Sequence, residues 1–336
     1  MNEKREERIS VSKPLILVTN DDGIESDGVW ASVDALLPLG EVLVVTPDRQ
    51  WSGAGRSMPY HVTGRVSTTQ VERGGQMVTA HAVDGSPALA VQHALLELAP
   101  RPIALVVSGI NFGVNLGTEV TVSGTIGAAL EAAAFGIPAL AVSLEMDPAC
   151  HLTGDKAADY TAAKAFTQEF AGNLLSNALP DDVHALSLNI PRDATPITPW
   201  RMTHLSQHRY YWPTAPDRKN GSGRPGYRPL AHSADCEGSS DIYAVDVDRV
   251  VSVTPLSLNL TSRVGLSTLE TCLRGDSCAR SGLFWSRMPP IEEWRPEPAI
   301  GDWGGLDQSP LQPTARAPEA HLSPSIYPQP ASGSEK

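Results

Sequence analysis

The stretch that most limits what this chain can fold into is Leu15-Ile16-Leu17-Val18-Thr19-Asn20-Asp21-Asp22-Gly23, an apolar run that ends abruptly in two adjacent carboxylates and a glycine. The run is too short for a stable helix and does not alternate. It reads as a strand buried on both faces, the kind found inside a parallel sheet. Asp21 and Asp22 then stand just past its carboxyl end, the edge at which open α/β sheets bind ligands. Neighbouring carboxylates repel each other unless a cation or a shared proton offsets the charge, and hard oxygen donors suit Mg2+ or Mn2+. A solvated turn capping the next helix would use the same residues. The pair alone leaves both readings open.

The rest of the chain repeats the strand. Val29, Trp30, Val33, Leu36 and Leu37 form one helical face that Pro38 and Gly40 end. Glu41 to Thr46 is a second apolar strand, followed by a glycine-bearing loop from Pro47 to Arg56. Tyr60 to Val66 and Gln76 to Val83 predict a hairpin around Glu72-Arg73-Gly74-Gly75. Ser86-Pro87 opens a helix, Ile103 to Val107 is a third buried strand, and a second glycine loop runs from Ser108 to Gly117. Ser123-Gly124-Thr125 caps a small-residue helix reaching Phe135, and Ala139 to Leu144 is a fourth strand. The alternation predicts a doubly wound, mostly parallel α/β sheet.

A helix over 155–176 and a strand over 183–190 follow, after which Pro, Gly, Arg and Tyr dominate, with strand-like pieces at Ile242 to Val247 and Arg249 to Pro255. The expected organisation is an N-terminal extension over 1–13, an α/β core over 14–194 and a β-rich arm over 195–260. A short helix over 261–274 and a Pro/Gly/Ser-rich, disordered tail over 275–336 complete it.

The formal net charge of −12 over 336 residues argues against binding a nucleic-acid backbone. It leaves nucleotides open as substrates, because a metal can supply the missing positive charge. Cys150, Cys236, Cys272 and Cys278 show no CxxC pairing, which predicts a reducing compartment, with Cys272 and Cys278 as free thiols. The mixed charge of Met1 to Ser10 does not resemble a signal peptide or an anchor, and no stretch is long and apolar enough to span a membrane. The expected location is the cytoplasm.

Four polar clusters fall at or beyond the ends of predicted parallel strands: Asp21-Asp22, the loop with Ser52, the loop with Asn111 and Asn115, and Ser123-Gly124-Thr125. Parallel strands bring these to one edge of the sheet. Carboxylates, a hydroxyl and an amide carbonyl form an all-oxygen donor set for a hard cation. The Ser-Gly-Thr turn offers backbone N–H groups, two hydroxyls and the positive end of a helix, which suit an anion, although an ordinary N-cap has the same composition. A cation beside an anion site points to phosphate chemistry. Gly109, Gly113 and Gly117 recur every four residues, which is not the dinucleotide fingerprint, and no GK[ST] follows a glycine loop. His204 and His208 are four apart, yet no Glu stands beside the first and the segment reads as extended, which argues against zinc.

Several blocks together resemble the signatures of the SurE (survival protein E) family of metal-dependent 5'/3'-nucleotidases. They are Asn20-Asp21-Asp22-Gly23, Thr46-Pro47-Asp48-Arg49 with Ser52-Gly53, Val107 to Gly117, and Ser123-Gly124-Thr125. Gly85-Ser86-Pro87, Pro138 to Ser143 and Thr254-Pro255-Leu256 stand in the same order, so the resemblance covers residues 14 to 260. It implies that Asp21, Asp22, Ser52 and Asn111 hold one divalent cation, Mg2+ or Mn2+, and that Asn115, Ser123, Gly124 and Thr125 surround the substrate phosphate. Asp21 and Asp22 are the expected catalytic residues, whether water or an aspartate attacks phosphorus. It also implies nucleoside monophosphate substrates and a homodimer or homotetramer joined by the arm. Asp241 resembles a family position near the pocket. The family usually has Ala where Thr46 stands and a polar or basic residue near Trp51, so the Ser52 loop is expected to differ in shape.

The runner-up is a non-catalytic metal- and phosphate-binding regulatory module such as a receiver domain. Such a module needs an Asp after the third strand, where this chain has Ser108 and Asn111. A haloacid-type phosphatase needs an Asp-x-Asp pair, whereas Asp21 and Asp22 are adjacent.

Overall fold

A computed structural model describes residues 13–275, apart from 152, 153, 156, 217, 219–222 and 224. The tail expected to be disordered from 276 onward, and the extension up to residue 12, lie outside the described residues.

A nine-stranded sheet runs in the order β3-β4-β2-β1-β5-β6-β7-β11-β8. Its strands are β1 (Leu15–Thr19), β2 (Glu41–Pro47), β3 (Val66–Arg73), β4 (Gln76–Val83), β5 (Ile103–Phe112), β6 (Ala139–Leu144), β7 (Ala185–Ile190), β8 (Trp200–Met202) and β11 (Val251–Leu256). The six strands from β4 to β7 in that order are parallel, while β3 and β11 pair antiparallel to their inner neighbours. The fold is the expected α/β class. A small antiparallel sheet, β9 (Tyr211–Thr214) with β10 (Gly226–Pro229), stands apart from it.

Alternation along each strand sends side chains to opposite faces, so a buried parallel strand must be apolar throughout. Ile16 and Val18 of β1 pack with α1 (Asp27–Leu36) and α4 (Thr161–Ser176), through Val29, Val33, Phe166 and Phe170. Leu15 and Leu17 face the other way, onto α2 (Pro87–His93) and α3 (Gly124–Ala134), through Val91 and Ile126. From β1 the chain winds outward through α1 to β2, and after α2 it returns to β5 on the opposite side of β1. The gap above β1 and β5 is therefore the point where the winding reverses, and it opens at the ends that carry Asp21 and Asn111.

Three local expectations are corrected. The first arm of the hairpin is Val66–Arg73 rather than Tyr60 to Val66. Gly74 and Gly75 both take positive φ, 56° and 74°, and form the two-residue turn that pairs Arg73 with Gln76 and fixes the register backwards from there. Ile242 to Val247, expected as a strand, instead carries a helical turn over Tyr243–Val247 whose Ala244 and Val245 are buried. Cys272, expected as a free thiol, is disulfide-bonded in the short helix α5 (Leu266–Leu273), whereas Cys150 and Cys236 are free. Absence of a CxxC spacing does not prevent a disulfide, which needs only suitable Cα and Cβ geometry. Of the stretch over 195–260, β8 and β11 extend the main sheet and β9 and β10 form the separate one.

Candidate active site

The turn after β1 is shaped by Asn20. Its side chain accepts the Gly23 N–H at 3.2 Å and donates to the Gly23 carbonyl at 3.1 Å, closing the residues between into a tight loop. Gly23 has φ 94°, and a Cβ there would meet the Arg49 backbone at 3.1 Å. The turn therefore needs glycine both for its conformation and for its closeness to the loop after β2.

Asp21 is buried beneath the N-terminus of α3, where its Oδ1 accepts the Thr125 hydroxyl at 2.5 Å. The Gly124 and Thr125 N–H groups hold its pKa down, against a larger rise from burial. A Cβ on Gly124 would stand 2.6 Å from the Asp21 Cβ, so the helix reaches the carboxylate only because that residue is glycine. Ser123 caps the helix by accepting the Ile126 N–H at 3.1 Å. The Ser-Gly-Thr turn is thus both an N-cap and the seat of a carboxylate.

Asp22 turns the other way. Its Oδ2 accepts the Phe112 N–H at 3.1 Å and its Oδ1 accepts the Gln50 side chain at 3.1 Å; Gln50 also donates to the His151 carbonyl at 2.8 Å. Burial and then the Asp21 charge push Asp22 well above the usual carboxylate range. Two carboxylates on adjacent residues, one buried and one part-buried, with the charge of Asp21 raising the pKa of Asp22, form a site that a cation would relieve.

The remaining oxygen donors come from the two loops. The Trp51 N–H donates to the Asp21 carbonyl at 2.7 Å, which brings the next residue, the exposed Ser52, to the rim beside the pair. Asn111, near the end of β5, commits its amide nitrogen to the Gly113 carbonyl at 2.8 Å, leaving Oδ1 as the atom able to meet a cation. Among the described residues no group of three or more His, Cys, Asp and Glu side chains is placed to hold a metal. The donor set for one here is two carboxylates with neutral oxygens, which fits a hard cation rather than zinc.

Asn115 lies farther along the edge, over β6 and β7, where its side chain donates to Ser143 Oγ at 2.8 Å and its N–H to Asn189 Oδ1 at 2.7 Å. Asp241, buried, accepts the N–H groups of Gly117, Ser206 and Ile242 at 2.7, 2.8 and 2.8 Å. It ties the glycine loop to the chain after β7. His208 lies in a bend, outside any strand, within 3.3 Å of Ser206 Oγ and 3.5 Å of the Glu237 carboxylate.

Sequence reasoning missed four contributors. Gln50 and the Phe112 N–H hold Asp22, and Glu131 of α3, 3% exposed, binds both Arg56 at 2.5 Å and Gln92 at 2.8 Å, fastening the Ser52 loop to the helix. Asn189 grips Asn115. Of these only Asn189 left a trace in the sequence, as a polar residue inside the apolar run Ala185 to Ile190. At the two positions where the chain departs from the family pattern, the Thr46 hydroxyl bonds the Pro47 carbonyl at 3.1 Å. The Trp51 ring lies 5.3 Å from the Arg49 guanidinium and 6.4 Å from the His61 ring.

Residues 16–212 match the family model described as Survival protein SurE. Among curated proteins, "5'-nucleotidase SurE" of Thermococcus gammatolerans is 42% identical over 263 residues, spanning 78% of this chain and 97% of the relative. The protein of the same name from Thermococcus kodakarensis is 40% identical over 259 residues, spanning 77% and 98%. Among solved structures, the SurE protein from Aquifex aeolicus superposes with a TM-score of 0.59 at 29% identity, covering 78% of this chain and all of its own.

Proposed function

The chain belongs to the Survival protein SurE family, and from that premise we propose how its pocket works as a nucleotidase. The protein is a 5'-nucleotidase, a phosphomonoesterase that releases phosphate from nucleoside 5'-monophosphates. The observation that carries the reading of the pocket is the adjacent pair at the winding reversal, buried Asp21 set against the N-terminus of α3 and part-buried Asp22 against the end of β5.

Asp21, Asp22, Ser52 and Asn111 would hold one divalent cation, Mg2+ or Mn2+. The donor set fits: all its atoms are oxygens, and the Asn111 amide nitrogen is already engaged elsewhere. Bound there, the ion would polarise a phosphate oxygen and lower the pKa of a coordinated water. The protein's own contribution is orientation and charge. Thr125 and the first N–H groups of α3 fix Asp21. Phe112 and Gln50 fix Asp22. Ser123, Gly124 and Thr125 line the positive end of the helix, which lowers the free energy of negative charge on the phosphoryl group while the Thr125 hydroxyl stays on Asp21, and Asn115 offers an amide hydrogen from the side of β6 and β7. Asp21 and Asp22 are the catalytic residues.

Hydrolysis of 3'-monophosphates, a cytoplasmic location and a homodimer or homotetramer belong to the same proposal, with residues 14–194 as catalytic core and 195–260 as the arm that joins subunits. Among the described residues no helix is long and apolar enough to cross a membrane.

The test is phosphate release from 5'- and 3'-nucleotides by EDTA-treated protein with Mg2+ or Mn2+ added back. Metal-restored release that Asp22→Ala abolishes supports the site. Undiminished turnover by folded Asp22→Ala would overturn the residue assignment. Metal binding without release from any nucleotide would return the regulatory-module reading.

A further inference from the structure

The glycine loop passes over the ends of β6 and β7, and one side chain of β7 sets its course there. Asn189, fully buried, accepts the Asn115 N–H on Oδ1 at 2.7 Å and returns Nδ2 to the Asn115 carbonyl at 3.0 Å. The carboxamide meets the Asn115 backbone as a neighbouring strand would, donor to acceptor and acceptor to donor. Its orientation follows from those partners, because a flipped amide would set N–H against N–H. Nδ2 also lies 3.3 Å from the Oγ of Ser187, two residues back on the same face of β7.

A second contact fixes the Asn115 side chain. Its Nδ2 donates to the Oγ of Ser143 on β6 at 2.8 Å, and Ser143 pairs with Asn189 across the β6–β7 register. One rung of the sheet therefore holds both the backbone and the side chain of Asn115. That rung lies within a continuous parallel pairing that runs from Ala139–Ala185 to Leu144–Ile190. A buried amide and hydroxyl in largely apolar strands cost free energy unless fully bonded. Here the loop supplies those bonds. Ser143 uses one of the two Asn115 amide hydrogens, and the other is available to a ligand.

We infer that Asn189, together with Ser143, is a positioning residue for phosphate binding: it locks Asn115 so that the remaining amide hydrogen is already aimed when the phosphoryl group arrives. The inference rests on the proposed role of Asn115 as a phosphate contact. It accounts for how a loop residue reaches the precision of a strand residue, which preorganised binding demands.

A double-mutant cycle tests it. Wild type, Asn115→Ala, Asn189→Leu and the double variant are compared by kcat and KM for a nucleoside 5'-monophosphate and by the inhibition constant of inorganic phosphate. The expected result is a rise in the phosphate inhibition constant on the order of tenfold for Asn189→Leu, with no further rise when Asn115 is already Ala. A loss of stability alone would not produce that dependence. If Asn189→Leu does not fold, Ser143→Ala takes its place in the cycle with the same expected pattern and a smaller effect. Independent, multiplying effects of the two sites, or an unchanged phosphate constant in the Asn189 and Ser143 variants while Asn115→Ala is impaired, would overturn the inference alone. An unchanged phosphate constant in Asn115→Ala would instead remove the phosphate role of Asn115, and the inference with it.

Discussion

Thr125 donates its hydroxyl to Asp21 at 2.5 Å across 104 residues of sequence, with both side chains buried. The bond holds the carboxylate in one orientation and opposes the rise in pKa that burial imposes. Thr125→Val keeps the shape and removes the donor. We expect a fall in kcat/KM of roughly tenfold to a hundredfold with the fold retained, while Thr125→Ser keeps most of the activity. Losing the bond also raises the Asp21 pKa further, so the acidic limb of the pH–rate profile should move to higher pH in the Val variant. Parallel pH–rate measurements on the two variants check both statements.

Gly124 answers to a different constraint. Its φ is ordinary, so an Ala there suits the helix, yet the added methyl would stand 2.6 Å from the Asp21 Cβ. Either the helix end or the carboxylate must move. We expect Gly124→Ala to leave the circular dichroism spectrum unchanged and to lower turnover on the order of a hundredfold. The same change at Gly136, which has nothing within 4 Å of the added atom but a φ of +77°, should cost some stability and little activity. Turnover by Gly124→Ala equal to wild type would show that the helix end and Asp21 are not in the contact described.

How far the site was legible from the chain alone follows from the same residues. Asp21 and Asp22 were readable because parallel strands force their carboxyl ends to one edge, and an apolar run ending in acids marks that edge. Ser123 was readable as a cap. That Thr125 would spend its hydroxyl on Asp21 was not, because the partner is set by how α3 lies over β1, a tertiary fact without local pattern. Gln50 and Glu131 are ordinary surface residue types in sequence and gain their roles only through tertiary contacts, Gln50 with Asp22 and Glu131 with Arg56 and Gln92. The hairpin shifted because its register is fixed by two glycines at the turn rather than by the apolar count of its arms. Cys272 escaped because pairing depends on the distance between Cα atoms, which spacing alone does not set.

Metal removal should expose the repulsion between Asp21 and Asp22. Burial, then the Asp21 charge, raise the Asp22 pKa, so without a cation the folded protein holds a proton there that the unfolded chain would release. A carboxyl with a raised folded pKa contributes stability below its unfolded value and loses that contribution as pH rises through the folded one. In EDTA the unfolding midpoint should therefore fall as pH rises above about 4, the ordinary Asp value, and Asp22→Asn should flatten that fall while abolishing turnover. A slope unchanged by Asp22→Asn would place the repulsion elsewhere.

His151 gives a pH dependence of its own. Burial lowers its pKa, and its ring is held by the Tyr227 hydroxyl at 2.8 Å on Nδ1 and stacks on the Tyr227 ring. The unfolded chain binds a proton at this ring before the folded protein does, so stability declines as pH drops below about 6.5, the ordinary His value. Urea unfolding at about pH 7.5 and about pH 5 should show a larger loss for wild type than for His151→Phe. Equal losses would mean that His151 is not the group being titrated.

The Arg56–Glu131 pair fastens the Ser52 loop to α3, and its two ends are unequal. Glu131 has a side chain 4% exposed, while that of Arg56 is 40% exposed. Removing Arg56 strands a carboxylate inside the protein with Gln92 as its remaining side-chain partner among the described residues, whereas removing the charge of Glu131 leaves a guanidinium that water can solvate. Arg56→Ala should therefore cost more stability than Glu131→Gln, about 2 kcal/mol against less than about 1 kcal/mol. The loop is also held independently: the Gly55 N–H bonds the Val122 carbonyl at 2.8 Å, and a Cβ on Gly127 would meet the Gly55 carbonyl oxygen at 2.3 Å. Loss of the ion pair should thus loosen Ser52 without releasing it, raising the Mg2+ concentration needed for half-maximal activity several-fold more than it lowers kcat. Denaturant unfolding and metal titration of the two variants decide the matter. A Glu131→Gln protein less stable than Arg56→Ala would show that the buried charge is not the costly end of the pair.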